Sequence, residues 1–483
     1  MNYILKDLQP ESVFRYFEEI CHIPHGSGNR RPISDYCVSF ARKHGLEYIQ
    51  DEAYNVIIKK PASEGYENRP AVMLQGHMDM VEEKESGSDH DFSQGLEIGV
   101  DGDWIYARET TLGGDDGIAV AYMMAILADD TLKHPALECV FTVDEEIGLL
   151  GAAALNLSGC KAHYLVNLDS EDEGVFLASC AGGLRANLTL PVERTAMSGR
   201  SYEIVVDHLQ GGHSGTEIHK ERANANILMG RLLFGVANRT DLSWGLVSLE
   251  GGLKDNAIPR TCRAVIVSDD PKEAVEEAVN QIFGEIRREY VLADPDMEIA
   301  ITERSEEAED ILHPSSLMRA LFFLTQCCNG VQHMSQAVSG LVETSLNLGI
   351  METEEDSVLF SFSLRSAVES RKQDMLDKLT FLIEFLGGEI STSGNYPGWD
   401  YKVNSPLRDK MTEVWEELYH TTPKIDLIHA GVECGLILEK MPDLDMVSIG
   451  PDMRDIHTPK ERLSISSAKR VYEFLIRLLE ELA

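Results

Sequence analysis

Thr142 to Gly148 reads Thr-Val-Asp-Glu-Glu-Ile-Gly, three adjacent carboxylates directly after the apolar run Cys139 to Val143. Like charges this close raise one another's pKa unless water solvates them or a cation neutralises them. Taken alone, the stretch reads most simply as a solvated acidic turn. Other apolar runs end in the same way. Ala71 to Gln75 leads into Gly76-His77-Met78-Asp79, Tyr164 to Leu168 into Asp169-Ser170-Glu171, and Met446 to Ile449 into a segment closing on His457. Thr110 to Gly117, with Asp115 and Asp116 beside two glycines, opens the apolar stretch Ile118 to Leu127.

Six residues therefore fall at strand ends or at an adjoining helix start: His77, Asp115, Glu145, Glu146, Asp169 and His457. Two histidines and three carboxylates form an oxygen and nitrogen set suited to zinc, with manganese or cobalt as alternatives, and not to magnesium or calcium alone. With one carboxylate bridging, five ligands can hold two ions ~3.5–4 Å apart, close enough to share and acidify a water. One acid of the Glu145-Glu146 pair is then left over, and a free glutamate beside such a water is what a general base for hydrolysis requires. Because a strand repeats every two residues, the Asp79 carboxylate is expected behind the His77 ring, fixing its orientation. One of the two aspartates at 115–116 is accounted for as a helix N-cap. The other, beside glycines that allow close backbone approach, is held for another purpose.

The elements that must position these residues read as an α/β domain. Four apolar strands, near 71–75, 139–143, 164–168 and 446–449, alternate with helical stretches, so an open sheet flanked by helices is expected, with functional groups beyond the carboxyl ends of its strands. Pro10 to Ile20 and Ile33 to Phe40 have helical periodicity, and Val56 to Ile58 is a further short strand. Between about 185 and 393 the character changes to strand-like pieces (202–206, 263–268, 297–302, 358–364) and long amphipathic helices (271–290, 370–386). The expected organisation is a catalytic domain made of 1–184 and 394–483, interrupted by an inserted α+β lid at 185–393. Gly394 to Gly398 is the expected return hinge. His22, His25 and His44 are read as structural or surface residues, and His208, His219, His313, His333, His420 and His429 as structural.

Composition excludes several partners. Eighty-one acids against 43 Lys plus Arg give a formal charge of −38, which opposes nucleic acid and anionic membrane surfaces. Nine cysteines, none spaced Cys-x-x-Cys, indicate neither a disulfide framework nor a thiolate zinc site. No apolar run reaches membrane-spanning length, and Met1 to Pro10 lacks a signal-peptide profile. A cytoplasmic protein is expected. Walker, Gly-x-Ser-x-Gly and His-Glu-x-x-His motifs are missing, so nucleotide hydrolysis, serine-hydrolase chemistry and one-zinc proteolysis lose support.

Gly-His-Met-Asp-Met-Val (76–81), Thr-Leu-Gly-Gly-Asp-Asp-Gly (111–117), Asp-Glu-Glu-Ile-Gly (144–148), Asn-Leu-Asp-Ser-Glu (167–171) and His457-Thr-Pro together resemble the aminoacyl-histidine (Xaa-His, carnosine-splitting) dipeptidases. These belong to the di-zinc family that also holds glutamate carboxypeptidase, aminoacylase and the tripeptidases. The resemblance runs nearly end to end and implies a zinc-exopeptidase-like catalytic domain with a lid. It makes Asp115 the bridging ligand, His77 and Asp169 ligands of one ion, Glu146 and His457 ligands of the other, Glu145 the base and Asp79 the residue orienting His77. It also implies a cis Asp115-Asp116 peptide. In the lid, it makes His213 an oxyanion stabiliser, Asn256 a substrate contact and Arg365 the partner of the substrate's carboxylate, while Glu433 meets the amino end. The expected substrate is a small peptide such as β-alanyl-histidine, and relatives often dimerise through the lid. Tripeptidase, carboxypeptidase and N-acyl amino acid amidohydrolase activities are the same-family alternatives. A non-catalytic metal- or peptide-binding protein on this fold is the alternative of another class.

Overall fold

The computed structural model describes residues 3–305 and 309–482, so the first two residues of the N-terminal stretch read above lie outside the described ones. Two compact units result. One runs to Ser179 and resumes with Tyr401–Leu427 and from Val432 onward; the other comprises Cys180–Asp400 and Ile428–Gly431.

In the first unit, an eight-stranded mixed sheet has the order Glu47–Gln50, Val56–Lys60, Leu137–Thr142, Val72–His77, Tyr164–Asn167, Asp445–Ser448, Val175–Cys180, Lys424–Ile428. Its four central strands are the four apolar runs of the sequence, and they pair in parallel. Val72–His77 and Leu137–Thr142 are buried along their whole length, as expected for strands covered on both faces. Register aligns the strand ends: His77 lies opposite Thr142, and Gln75 opposite both Val140 and Asn167. The loops that follow therefore leave from one edge. Helix Gly114–Ala128 is buried on every side except its last residue, and Glu11–Cys21 packs against it. Apolar residues all round leave such a helix no solvent face, so it sits inside the domain.

The second unit is built on an antiparallel sheet in the order Glu298–Ser305, Arg200–Asp207, Cys262–Ser268, Trp244–Gly251, Val342–Thr353, Ser357–Ser366, Gly182–Pro191, Glu389–Tyr396. Helices Ala225–Arg239, Lys272–Glu289, Pro314–Gln326 and Glu369–Phe385 pack on it around a separate apolar core. This unit begins at Cys180 rather than 185 because Gly182 already pairs with Ser366 in its sheet. It ends at Asp400 rather than 393 because Glu389–Tyr396 is a strand of the same sheet. Gly394 to Tyr396 thus belongs to that strand and is not a hinge. Entry and exit adjoin, since the backbones of Cys180 and Trp399 exchange hydrogen bonds of 3.0 and 3.1 Å.

Candidate metal centre

His77 ends its strand 1% exposed. Its Nδ1 lies 2.9 Å from the main-chain oxygen of Asp79, to which it donates, leaving Nε2 free to face the strand-end carboxylates. The Asp79 side chain is farther off, at 3.6 Å. The strand stops at His77, and past its end the turning chain brings both the Asp79 carbonyl and, farther off, the Asp79 carboxylate to the same ring nitrogen. The Asp79 carboxylate has other partners: the Ser27 hydroxyl at 2.7 Å and the backbone N–H groups of Glu145 at 3.0 Å and Glu146 at 3.4 Å.

Those two amides belong to the acidic turn. Asp144 adopts a left-handed φ of 53°, a conformation that aspartate tolerates better than most residues. Its fully buried carboxylate accepts the Gly28 N–H at 2.7 Å and pairs with Arg30. So the first of the three acids is already satisfied by protein, and only Glu145 and Glu146 remain for other work.

Asp115 follows Gly113 and Gly114, and the Asp115-Asp116 peptide is cis. Neither aspartate caps the helix through its side chain. The preceding amides are instead occupied by Glu461, and Asp116, fully buried, accepts the His77 N–H at 3.3 Å.

The ligand candidates meet at Asp115. Its Oδ1 lies 3.1 Å from His77 Nε2 and its Oδ2 3.2 Å from His457 Nε2. His77 Nε2 is also 3.5 Å from Asp169 Oδ1, and His457 Nε2 is 2.9 Å from Glu146 Oε1. Two triads thereby share one carboxylate: His77, Asp115 and Asp169, and Asp115, Glu146 and His457. In each, the potential ligand atoms lie within 4.8 Å of one another. A third grouping joins His77 to Glu145 and Glu146.

Electrostatics show what such a cluster requires. Burial works against a charged His77, yet Asp169 and hydrogen bonding to Asp115 raise its pKa well above the usual value. Hydrogen bonds to Asp115 and Glu146 push His457 up to about 11. Burial raises Asp169 to about 6, with His77 opposing. Burial likewise lifts Glu145 well above the ordinary range, against His77 and with Asp169, Glu433 and Glu146. The carboxylates thus hold positive charge on both imidazoles. Divalent cations supply that charge in place of the protons, and the oxygen and nitrogen donor set suits them. The residues fit a pair of ions.

Glu433, also fully buried, accepts hydrogen bonds at Oε2 from Gln75 (2.5 Å) and Thr142 (2.6 Å), while its Oε1 has no hydrogen-bond partner among the described residues. Burial raises its pKa to about 7.

In the second unit, His213 and Arg365 lie close together. A Cβ on Gly215 would come within 3.0 Å of the His213 ring, 3.1 Å of Arg365 Nε and 2.5 Å of the His429 carbonyl oxygen. Arg365 is 8% exposed, and its Nε has no hydrogen-bond partner among the described residues. Its Nη1 donates to the Tyr396 hydroxyl at 3.3 Å. Among the described residues no carboxylate pairs with this guanidinium. His429 is buried beside it, 2.7 Å from the Ser345 hydroxyl, and is part of the cluster rather than a bystander. Its signal in the sequence was proximity to Glu433 alone. Asn256 is exposed, and its carbonyl accepts the Ser214 N–H at 2.9 Å; among the described residues no hydrogen bond ties its side chain to the cluster.

An open sheet with acids and histidines gathered past its parallel strand ends, plus a second α+β unit, defines a hydrolase of the metallopeptidase class. The chain belongs to Peptidase family M20/M25/M40, whose profile matches residues 73–481. It is 36% identical to the cytosol non-specific dipeptidase of Escherichia coli (strain K12) across 99% of both chains. It superposes on the aminoacylhistidine dipeptidase of Vibrio alginolyticus with a TM-score of 0.94 and 36% identity, covering 99% of this chain and 98% of that one. Aminopeptidase PepT from Bacillus cereus, at a TM-score of 0.58 and 15% identity over 98% and 99% of the two chains, shares the fold. Among the described residues no helix is long and apolar enough to cross a membrane.

Proposed function

We propose that this peptidase is a dipeptidase that splits Xaa-His dipeptides such as β-alanyl-histidine among its substrates. The observation that carries the reading is the Asp115 carboxylate, with one oxygen turned to His77 and the other to His457. His77, Asp115 and Asp169 would hold one divalent ion, and Asp115, Glu146 and His457 the other, with zinc favoured by the donor set. When bound, such ions polarise a carbonyl and lower the pKa of a water.

The chain's own residues do the rest. Glu145 takes the proton from the attacking water and delivers it to the leaving amine, a role suited to a carboxylate whose pKa burial has raised. Asp79 holds the backbone of Glu145 in place. Arg365 binds the substrate's free carboxylate through its planar fork. His213 stabilises the developing oxyanion, and Asn256 offers a further polar contact. The partnerless Glu433 Oε1 accepts from the substrate's amino group. Both relatives at 36% identity are named as dipeptidases, one of them non-specific, so histidine is accepted here without being required.

We also place the protein in the cytoplasm, in keeping with a relative named as cytosolic. Homodimerisation is assigned to the second unit, where Phe381 and Phe385 stack on an exposed helix face, 75% and 76% exposed.

The test is product analysis on β-alanyl-histidine, a dipeptide lacking histidine, a tripeptide and an N-acetyl amino acid, with and without chelator. Both dipeptides are expected to be cleaved, with chelator abolishing turnover. Cleavage confined to the tripeptide or the N-acetyl compound would transfer the protein to another activity of its family.

A further inference from the structure

Glu461 is a buried carboxylate, 3% exposed, that the chemistry above does not use. Its Oε2 accepts the N–H groups of Leu112 at 2.7 Å and Gly113 at 3.1 Å, and its Oε1 those of Gly114 at 2.8 Å and Asp115 at 3.3 Å. Four consecutive amides converge on one side chain. Such a run of N–H groups forms an anion-binding concavity, and here it is filled from within the protein. The glycines make this possible: Gly113 takes a left-handed φ of 68°, and a Cβ on Gly114 would stand 3.2 Å from Glu461 Oε1.

Glu461 is tied just as closely to His457. Its own N–H donates to the Thr458 carbonyl at 3.0 Å, and the Thr458 hydroxyl donates to the Asp455 carbonyl at 2.6 Å. The turn from 455 to 461 is thereby closed on itself. Immediately beyond it, Arg462–Ser464 pairs with Trp104–Ala107. One carboxylate therefore joins the loop that presents Asp115 to the loop that presents His457, residues 342 apart in sequence that meet at 3.2 Å.

We propose that Glu461 is a positioning residue for the cation site formed by Asp115, Glu146 and His457, setting the separation of two of its three ligands and hence that site's affinity. The site formed by His77, Asp115 and Asp169 depends on it less, because His77 and Asp169 stand on strand ends that Glu461 does not touch. The proposal rests on the two-ion reading given above.

Calorimetric zinc titration of the chelated full-length protein separates the two ideas. Wild type binding fewer than two equivalents would overturn the two-ion reading itself. With two equivalents in wild type, Glu461→Gln is expected to weaken one by ~10–100-fold, as the loss of a hydrogen bond that orients a metal ligand does, and the other by less than about threefold. In a His457→Gln background, adding Glu461→Gln is expected to leave the remaining equivalent unchanged. Glu138→Gln is the control for lost burial alone. That residue, also a buried carboxylate on backbone amides (Lys161 and Ala162, 3.0–3.1 Å), lies away from the site, and its loss should alter stability without altering zinc affinity. If Glu461→Gln fails to fold by circular dichroism, Glu461→Asp, which keeps the charge but withdraws it by one methylene, should show the same site-selective weakening. Two equivalents bound as in wild type, equal weakening of both, or the same selectivity in Glu138→Gln would overturn the proposal.

Discussion

Asp79 reaches Glu145 through the main chain: its Oδ1 accepts the Glu145 N–H at 3.0 Å while its Oδ2 takes the Ser27 hydroxyl at 2.7 Å. The carboxylate is thus a bracket between the loop after Val72–His77 and the turn after Leu137–Thr142. Replacing it with Asn puts an amide NH2 where at least one of these donors must point. Asp79→Asn is expected to lower kcat by ~10–100-fold with a smaller change in KM, because the base is displaced and the substrate's ends are not. Steady-state kinetics decides it; a rise in KM alone would show that Asp79 serves binding instead.

Glu145→Gln removes the proton acceptor and keeps the shape. Neither triad that shares Asp115 includes Glu145, so the variant should retain its metal by elemental analysis while kcat falls by ~10²–10⁴-fold. Loss of metal along with activity would make Glu145 a ligand and leave the role of base to another group.

Much of this site was legible because its signals are local. Apolar runs ending in acids or histidine predicted the four parallel strands, and parallel pairing carries their ends to one edge. His77, Asp115, Asp169, Glu146 and His457 are brought together as that pattern implies. What stayed hidden depends on main-chain geometry. Asp79 binds amides across a turn, Asp144 is spent on Gly28 and Arg30, and Glu461 fills a nest of backbone N–H groups; none of these leaves a periodicity or a motif. The strands at 182–191, 244–251 and 342–353 also escaped notice, since antiparallel sheet strands with polar positions inside them, such as Asn187 and Asn347, lack a clean apolar signature.

Arg365 is buried with no carboxylate partner among the described residues, an arrangement that disfavours the folded protein unless an anion completes it. Arg365→Met is expected to raise KM for dipeptides with a free carboxylate by ~10–100-fold, the equivalent of about 1.5–3 kcal/mol for a charge-assisted hydrogen bond. C-terminally amidated dipeptides should be cleaved equally by both proteins. An equal penalty on amidated substrates would make Arg365 a structural residue.

Without bound ions, Asp115, Glu145, Glu146 and Asp169 would crowd round the two imidazoles with no divalent charge to offset theirs. Chelation should lower the thermal midpoint, and zinc at 100 times its dissociation constant should restore about 2.7 kcal/mol for each site it fills. Differential scanning calorimetry of chelated and zinc-reconstituted protein checks this. Identical midpoints in the presence of two bound equivalents would show that the acids are not frustrated without cations.

His429 gives a pH dependence whose sign is fixed. Burial, followed by the neighbouring charges of Arg365 and His213, lowers its pKa to about 3, against about 6.5 in an unfolded chain. Between those values the unfolded state binds a proton that the folded state refuses, so stability rises with pH across the window. The contribution of the neutral ring is complete above about pH 6.5 and declines, by at most about 1.4 kcal/mol per pH unit, as the pH falls toward 3. In His429→Gln that slope should vanish while every carboxylate titrates as before. Urea denaturation of the two proteins at pH 7.5, 6 and 5, followed by circular dichroism, isolates the difference: wild type should lose more stability than the variant on acidification. Parallel profiles would mean that His429 accepts a proton in the folded state, and that Arg365 does not stand beside an uncharged ring.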